Sequence, residues 1–565
     1  MMIHRKRQRW ALFAGSILFS VAGAVARAAP APDPYEDWAV VTIGGEEAGW
    51  AHQKTVSQKE GGKLQWKTET SLLLEFKRFG QSLSFLTEEG VVEDSEGRVL
   101  RMTRKAKLSD QETSYELVAA GSKARMTVTT MGTPHPSELP WQPGVLGPVG
   151  VSTLRLARGW KPGTRYAYPV FSFDHAKIIT TTVEIVGPRE IALLDGQKVS
   201  LQEACVTLDA LPGVVGHEWM DERAHTQKES ISMMGLAMEI IRTTRERAQR
   251  PGREVTKDVM TETMGVSNVF LPRPYQLDSV LYAFKAKDPK LGLPRDLAAV
   301  GQWVVRTDGK SAVVRIDAVI PRKTQKRPLA NPQASLGEFL APNPFVQSED
   351  AKLREKALQV VGQETDAWKA GVLLEKFVHD HIREKNFNTA FASAAEVFAS
   401  RSGDCSEHAV LLAALARAVG IPARVAMGYL YLGGIFGGHM WTEIWIQGEW
   451  YALDAVLGRG RVDPTHIRFS TSSLKDGGLG DAFTSALQGL GNLEIQVLEF
   501  RLGKQTVRVG KQFQDQRIEK NTYVNQLYGL RLTKPEGYRF IQRSRDFSGP
   551  DFTLLTLSGK STMRL

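Results

Sequence analysis

Only two cysteines, Cys205 and Cys405, stand in the 565 residues. So few thiols exclude a disulfide-stapled scaffold and the paired-cysteine spacings of a structural zinc site. A single bridge between the two is the one an oxidising compartment would permit. Against it, Cys205 lies in the apolar, strand-like run Ser200 to Leu208, far away in sequence, where a buried, inert thiol is expected. After the first 28 residues there is no apolar run long enough to cross a bilayer. The formal charge is +10, but half of it comes from Arg5, Lys6, Arg7, Arg9 and Arg27, and no acidic residue offsets them before position 29. The remainder is only mildly basic, with no dense cationic stripe and no base-reading motif, which excludes nucleic-acid binding. His379 and His381 form the only close histidine pair in the helical stretch before Cys405. Two residues apart on a helix they do not share a face, so no metal site is expected there, and no cofactor is implied.

What is present begins with an export pattern. His4 to Arg9 is a basic segment, Ala11 to Ala26 is apolar, and Ala26-Arg27-Ala28 suits cleavage after Ala28. Residues 1–28 are therefore expected to be a signal peptide, and the mature chain to be periplasmic or secreted with no integral membrane span. A hydrophobic content of 42% and a charged content of 24% fit a globular protein with large cores. Alternating runs separated by turns every 8 to 15 residues predict an N-terminal β-rich domain over 35–250, with a loop across 132–150, where five prolines cluster. A second small β-containing domain is expected over 255–325. The stretch from Pro321 to Pro344 reads as a hinge, 346–470 as the catalytic core, and 492–565 as a C-terminal β unit in which 528–540 could form a hairpin.

The informative stretch is Arg401 to Ala455. Cys405 follows Ser402-Gly403-Asp404, a helix-start cluster, and Ser406 to Val419 is rich in Ala and Leu without internal Gly or Pro. Gly420 and Pro422 then supply the stop. Cys405 is thus expected in the first turn of a buried helix, where unpaired N–H groups and the positive end of the dipole favour a thiolate and its own N–H can serve an oxyanion. From His439 to Ile446 residues alternate between two faces, with His439, Trp441, Glu443 and Trp445 on one. Gln447-Gly448-Glu449 can turn, and Trp450 to Asp454 returns. An even-residue turn puts His439 and Asp454 on the same face. A thiol, an imidazole to take its proton and a carboxylate to orient the imidazole make the set for nucleophilic catalysis. Two rivals remain. His408 shares the helical face of Cys405 and is expected as a buried supporting residue rather than as the base, and Asp463 precedes Pro464 in a turn-like setting.

Gly403-Asp404-Cys405-Ser406-Glu407-His408-Ala409, the Leu-Ala-rich run ending in Gly420-Ile421-Pro422-Ala423-Arg424, Gly438-His439-Met440-Trp441-Thr442-Glu443 and Trp450-Tyr451-Ala452-Leu453-Asp454-Ala455 resemble, in order and spacing, the core of the bacterial transglutaminase-like superfamily. Val462-Asp463-Pro464-Thr465-His466-Ile467 resembles the segment that often follows that core. The resemblance implies an α+β fold, a papain-like transglutaminase core with additional N-terminal and C-terminal β-rich domains. It implies Cys405 as nucleophile, His439 as base and acid, and Asp454 as orienter, in a family of peptidases, amidases and transamidating enzymes. The expectation is an exported enzyme that acts on amide bonds of a protein or peptide substrate through an acyl-thioenzyme, with hydrolysis favoured. The alternative is a non-catalytic envelope interaction or scaffold protein built on the same core, since more than half the chain consists of β modules without evident chemistry.

Overall fold

Short-period alternation dictates the largest element of the molecule. In Lys123–Thr130 the residues Ala124, Met126 and Val128 point inward while Lys123 before them and Arg125 between them point outward, the pattern of a strand with one wet face. The computed structural model describes residues 34–509 apart from short stretches, among them 386–391 and 476–485, together with isolated strands beyond 515. The leader-like residues 1–28 lie outside the described residues. Within them, β1 (Tyr35–Ile43) to β14 (Leu236–Thr243) make one fourteen-stranded antiparallel sheet. Strands β1 to β8 and β9 to β14 each pair in sequence order, and β1 pairs with β14 to join the two meanders. The ends of the sheet are β8 (Thr133–Pro140) and β9 (Arg165–Ser172).

Part of the proline-rich segment expected as a loop is instead the edge strand β8. Pro134, Pro136 and Pro140 pair with Thr129, Thr127 and Lys123 of β7 (Lys123–Thr130). All three occupy alternate positions, so each missing N–H points out from the sheet edge, where no donor is needed. Beyond it Pro148 opens a helix, α1 (Pro148–Arg158), at a position where a missing N–H costs nothing. Cys205 is half-buried rather than sealed in the core, and neither cysteine is in a disulfide.

Among the described residues up to 509, the second half is built on two five-stranded sheets and the helices α2 (Ala351–Val361), α3 (Ala367–His381), α4 (Ala394–Ser400) and α5 (Cys405–Ala418). Each starts at an Asp or Ser whose side chain accepts from the first-turn N–H groups: Asp350, Asp366, Ser393 and Asp404. α5 is buried on all sides, its Val410, Leu411, Leu412 and Leu415 meeting Leu353, Leu374 and Val397 of the other helices. It lies against a sheet of β19 (Ala423–Leu432), β20 (Ile435–Ile446), β21 (Glu449–Leu453) and β22 (His466–Ser472), with the two-residue strand β15 (Gly265–Val266) at its edge. The other sheet runs in the order β17 (Gln302–Thr307), β18 (Ser311–Asp317), β16 (Ser279–Ala286), β23 (Leu493–Leu502), β24 (Gln505–Arg508). Because β16 pairs with β23, one sheet spans the segments that the sequence divides into a unit at 255–325 and a unit from 492 on. Its core merges with Tyr429, Tyr431, Phe436 and Phe469 of the first sheet. The turn proposed within 528–540 falls on residues outside the described set. The strands beside it, Leu530–Thr533 and Tyr538–Gln542, pair with other partners. The chain is a β-rich protein in which α2, α3 and α4 gather around α5. Among the described residues no helix is long and apolar enough to cross a membrane.

Candidate active site

The candidate site draws on the head of α5, on β20, and on the strand ends that carry Asp454 and His466. Asp404 caps α5: its side chain accepts from the Ser406 N–H at 2.8 Å, and its own N–H donates to Glu407 Oε2 at 2.8 Å. This reciprocal box fixes Cys405 as the first residue of the helix, half-buried against the core. The Thr442 hydroxyl of β20 donates to the Ala409 carbonyl at 2.9 Å. That bond ties the strand carrying His439 to α5 one turn beyond Cys405.

His439 and Asp454 meet directly. β20 and β21 are joined by Gln447 and Gly448, both with positive φ (49° and 99°), the two-residue hairpin whose twist matches the strands. Leu453 pairs with Thr442, and one step further Asp454 stands on the His439 face. The His439 Nε2–H donates to Asp454 Oδ2 at 2.8 Å, with both side chains buried. This bond leaves the lone pair of the ring on Nδ1. Burial lowers the basicity of His439, and Asp454 pulls it part of the way back. The charge of Asp404, beside Cys405, acts on the same ring.

Neither rival stands in the His439–Asp454 pair. His408 is buried and bonded from Nδ1 to the Asp404 carbonyl of its own helix; burial pushes its pKa down to about 3. Asp463 accepts from the Thr465 N–H at 2.9 Å and faces His466 rather than His439. His379 and His381 diverge, one toward the carbonyls of Ala455 and Val456, the other toward that of Phe398.

Two side chains that sequence reasoning left without a role complete the site. His466, on β22, donates from Nε2 to Asp454 Oδ2 at 3.1 Å, and its Nδ1 lies 3.2 Å from the Asp463 carbonyl and 3.5 Å from Asp463 Oδ1. Gly428 stands opposite His439 on one side and Arg468 of β22 on the other, where the strands leave no room for a side chain. A Cβ there would fall 1.8 Å from the Ile467 carbonyl oxygen. Glu375 of α3 accepts from the Asp454 N–H at 3.0 Å and from the Gly460 N–H at 2.6 Å. Gly371, one turn earlier, lets α3 approach closely enough, since a Cβ would sit 2.6 Å from Ile444 Cδ1.

Residues 354–455 match the model of the transglutaminase-like superfamily. The chain carries a transglutaminase-like domain. No curated protein matches it. Among solved structures it is similar to a proposed cysteine protease from Cytophaga hutchinsonii, at 18% identity and a TM-score of 0.28, over 42% of this chain and 90% of that one. It is also similar to a β-barrel-like protein of a domain of unknown function from Brucella abortus, at 10% identity and a TM-score of 0.28, over 38% of this chain and 96% of that one. A third is a proposed protease from Parabacteroides distasonis ATCC 8503, at 12% identity and a TM-score of 0.17, over 61% of this chain and 64% of that one.

The charges of the transglutaminase-like domain are interlocked. Burial alone would raise the pKa of Asp454, but His439 and His466 outweigh it and hold the carboxyl well below the ordinary range. Burial likewise opposes the charge on His466, yet Asp463 and Asp454 raise its pKa to about 10. A histidine raised in the folded state stabilises fully below its unfolded pKa of about 6.5, and that contribution fades as pH rises through about 10. Denaturant midpoints of the wild type should therefore fall between pH 6.5 and 10. His466→Gln should lower stability at pH 6 by on the order of 3 kcal/mol, since it leaves a buried carboxylate under-partnered. It should also lose most of the slope between pH 8 and 10, above the range in which Glu375 contributes; an unchanged slope there would place the titration elsewhere.

Glu375 of the same domain is pushed up to about 8 by burial, although both of its oxygens accept N–H groups. An amide cannot accept at both ends. Glu375→Gln should therefore cost about 1–3 kcal/mol, because one backbone donor then faces an NH2 group. Chemical denaturation measures this, and a midpoint equal to the wild type would show that Glu375 does not tether the Asp454–Gly460 loop.

Proposed function

We propose that the chain is a cysteine-nucleophile enzyme that acts on amide bonds of a peptide or protein through an acyl-thioenzyme, with Cys405, His439 and Asp454 as its catalytic residues. The observation that carries the reading is the buried 2.8 Å bond from His439 Nε2 to Asp454 Oδ2, in a domain whose central helix begins at Cys405. With Nε2–H committed to the carboxylate, Nδ1 is the nitrogen able to take a proton. In the first half-reaction Cys405 Sγ attacks the substrate carbonyl carbon, and the thiol proton passes to His439 Nδ1. The tetrahedral adduct collapses as the C–N bond breaks, and the proton on Nδ1 goes to the leaving amine. In the second half-reaction water loses a proton to the same nitrogen and attacks the thioester carbonyl; the C–S bond breaks, the acid leaves and the proton on Nδ1 returns to Cys405 Sγ. Asp454 stabilises the imidazolium formed in each half, and His466 holds Asp454 from the other side. Water requires no acceptor site of its own, so hydrolysis is the favoured outcome, with a primary amine as the competing acceptor. Export under the direction of residues 1–28 belongs to the same reading.

The test is to trap the intermediate. The mature chain is mixed with a panel of peptides, quenched in acid and weighed intact. One acyl group mapped to Cys405 is expected, and added primary amine should divert only a minor share of product. Turnover without an adduct on Cys405 would overturn the mechanism; amide as the main product would make the enzyme a transferase.

A further inference from the structure

A second cluster of chemically active side chains lies on the large sheet, remote in sequence from the catalytic core. Cys205 of β11 (Lys198–Leu208) stands directly opposite His217 of β12 (Val215–Met220), and Glu184 of β10 (Lys177–Ala192) flanks Cys205 on the other side. Glu203, two residues before Cys205, shares its face of the sheet. His217 Nδ1 is 2.8 Å from Glu203 Oε1 and 3.9 Å from Cys205 Sγ. One ligand atom from each of Glu203, Cys205 and His217 can be chosen so that all lie within 4.8 Å of one another. All three residues are half-buried, so the group is reachable from solvent yet held by paired strands.

We propose that Glu203, Cys205 and His217 form a binding site for a divalent transition-metal ion of the zinc class. A thiolate and an imidazole beside a carboxylate are the donor types that zinc and its neighbours take, whereas magnesium and calcium favour oxygen alone. Three protein ligands leave a fourth position for water or for a donor from outside the chain. The surroundings are suited to a cation. Glu203 on the same strand and Glu184 on the neighbouring one set two carboxylates around Cys205. The proton held on sulfur is the one a metal would displace. Arg189 reaches Glu203 Oε2 at 3.2 Å from an exposed position, and Trp219 stacks on the His217 ring, so the imidazole is oriented from behind. Binding exchanges one cation for one proton: the S–H bond of Cys205 breaks, a metal–sulfur bond forms and H⁺ leaves to solvent. His217 binds through the Nδ1 lone pair, its proton moving to Nε2.

The experiment uses the whole mature chain carrying Cys405→Ala, so that Cys205 is the only thiol. Titration with Co²⁺ alone should give a thiolate-to-cobalt charge-transfer band that saturates at one equivalent and is displaced by Zn²⁺. Zinc binding followed by calorimetry in two buffers of different ionisation heat should release about one proton. Adding Cys205→Ser should abolish the band and weaken zinc by about tenfold or more, and His217→Ala should weaken it similarly while circular dichroism stays that of the parent. A saturating titration without a thiolate band, or zinc affinity unchanged by Cys205→Ser, overturns the proposal. None of these outcomes depends on the activity proposed for Cys405.

Discussion

Cys405→Ala is expected to reduce peptide turnover by on the order of 10⁴-fold or more, the scale seen when a covalent nucleophile is removed, and to leave the fold intact. Both halves follow from the geometry. The substitution removes only sulfur from the first position of α5, where alanine is a good helix residue. The cap made by Asp404 and Glu407 involves backbone and carboxylate groups that the change does not touch. The His439–Asp454 bond and the Thr442–Ala409 anchor also persist. Thermal unfolding should therefore shift by little, while the acyl adduct and any thiol-probe label at position 405 vanish. Cys205 is the other thiol in the chain, so labelling has to be read by peptide mapping rather than by total incorporation. Cys405→Ser separates chemistry from shape: a hydroxyl keeps the hydrogen-bonding site but is far harder for a neutral imidazole to activate. Turnover that survives Cys405→Ala would refute the nucleophile and return the molecule to the scaffold reading.

The parts of this site that are readable in the chain are those set by local rules. Asp404 before an alanine- and leucine-rich run marks the start of α5, and alternation from His439 to Ile446 marks β20. The Gln447–Gly448 turn then brings Asp454 to the face of His439 through the period of two alone. What is not readable depends on strand order. His466 reaches Asp454 because β22 pairs with β19 rather than with β21, a choice made by packing of Ile467 and Phe469 into the second core and not by any spacing near His466. Glu375 lies 79 positions before Asp454, on a helix whose polar residues look like solvent-facing ones until Gly371 is seen against Ile444. The joint sheet of β16 and β23 is hidden for the same reason, since its partners stand 200 and more residues apart in the chain. Prolines misled in one place because proline forbids only a strand with neighbours on both sides, and β8 has one.

Asp454→Asn is expected to lower kcat/KM by roughly 10³- to 10⁴-fold, the magnitude that follows when an orienting carboxylate becomes an amide, and to cost stability as well. Asp454 Oδ2 accepts from His439 and His466 together, while Oδ1 accepts from the Val456 N–H at 2.9 Å. An asparagine has one acceptor for these two ends. With its oxygen toward the histidines, its NH2 group confronts the Val456 N–H. Turned over, the NH2 meets both rings, forces His439 to put its proton on Nδ1, and so removes the lone pair that the chemistry needs. In either orientation the negative charge between two imidazoles is lost, His466 keeps only Asp463 as its counter-charge, and a few kcal/mol of folding stability should go with it. Nitrogen-15 shifts of the His439 ring distinguish the orientations, and steady-state kinetics measures the loss. Because His466 acts through the same oxygen, the double variant Asp454→Asn/His466→Gln should be less destabilised than the sum of the two single changes. Strict additivity would mean that the two histidines do not share Asp454, and activity within tenfold of the wild type would mean that His439 is oriented by something other than this carboxylate.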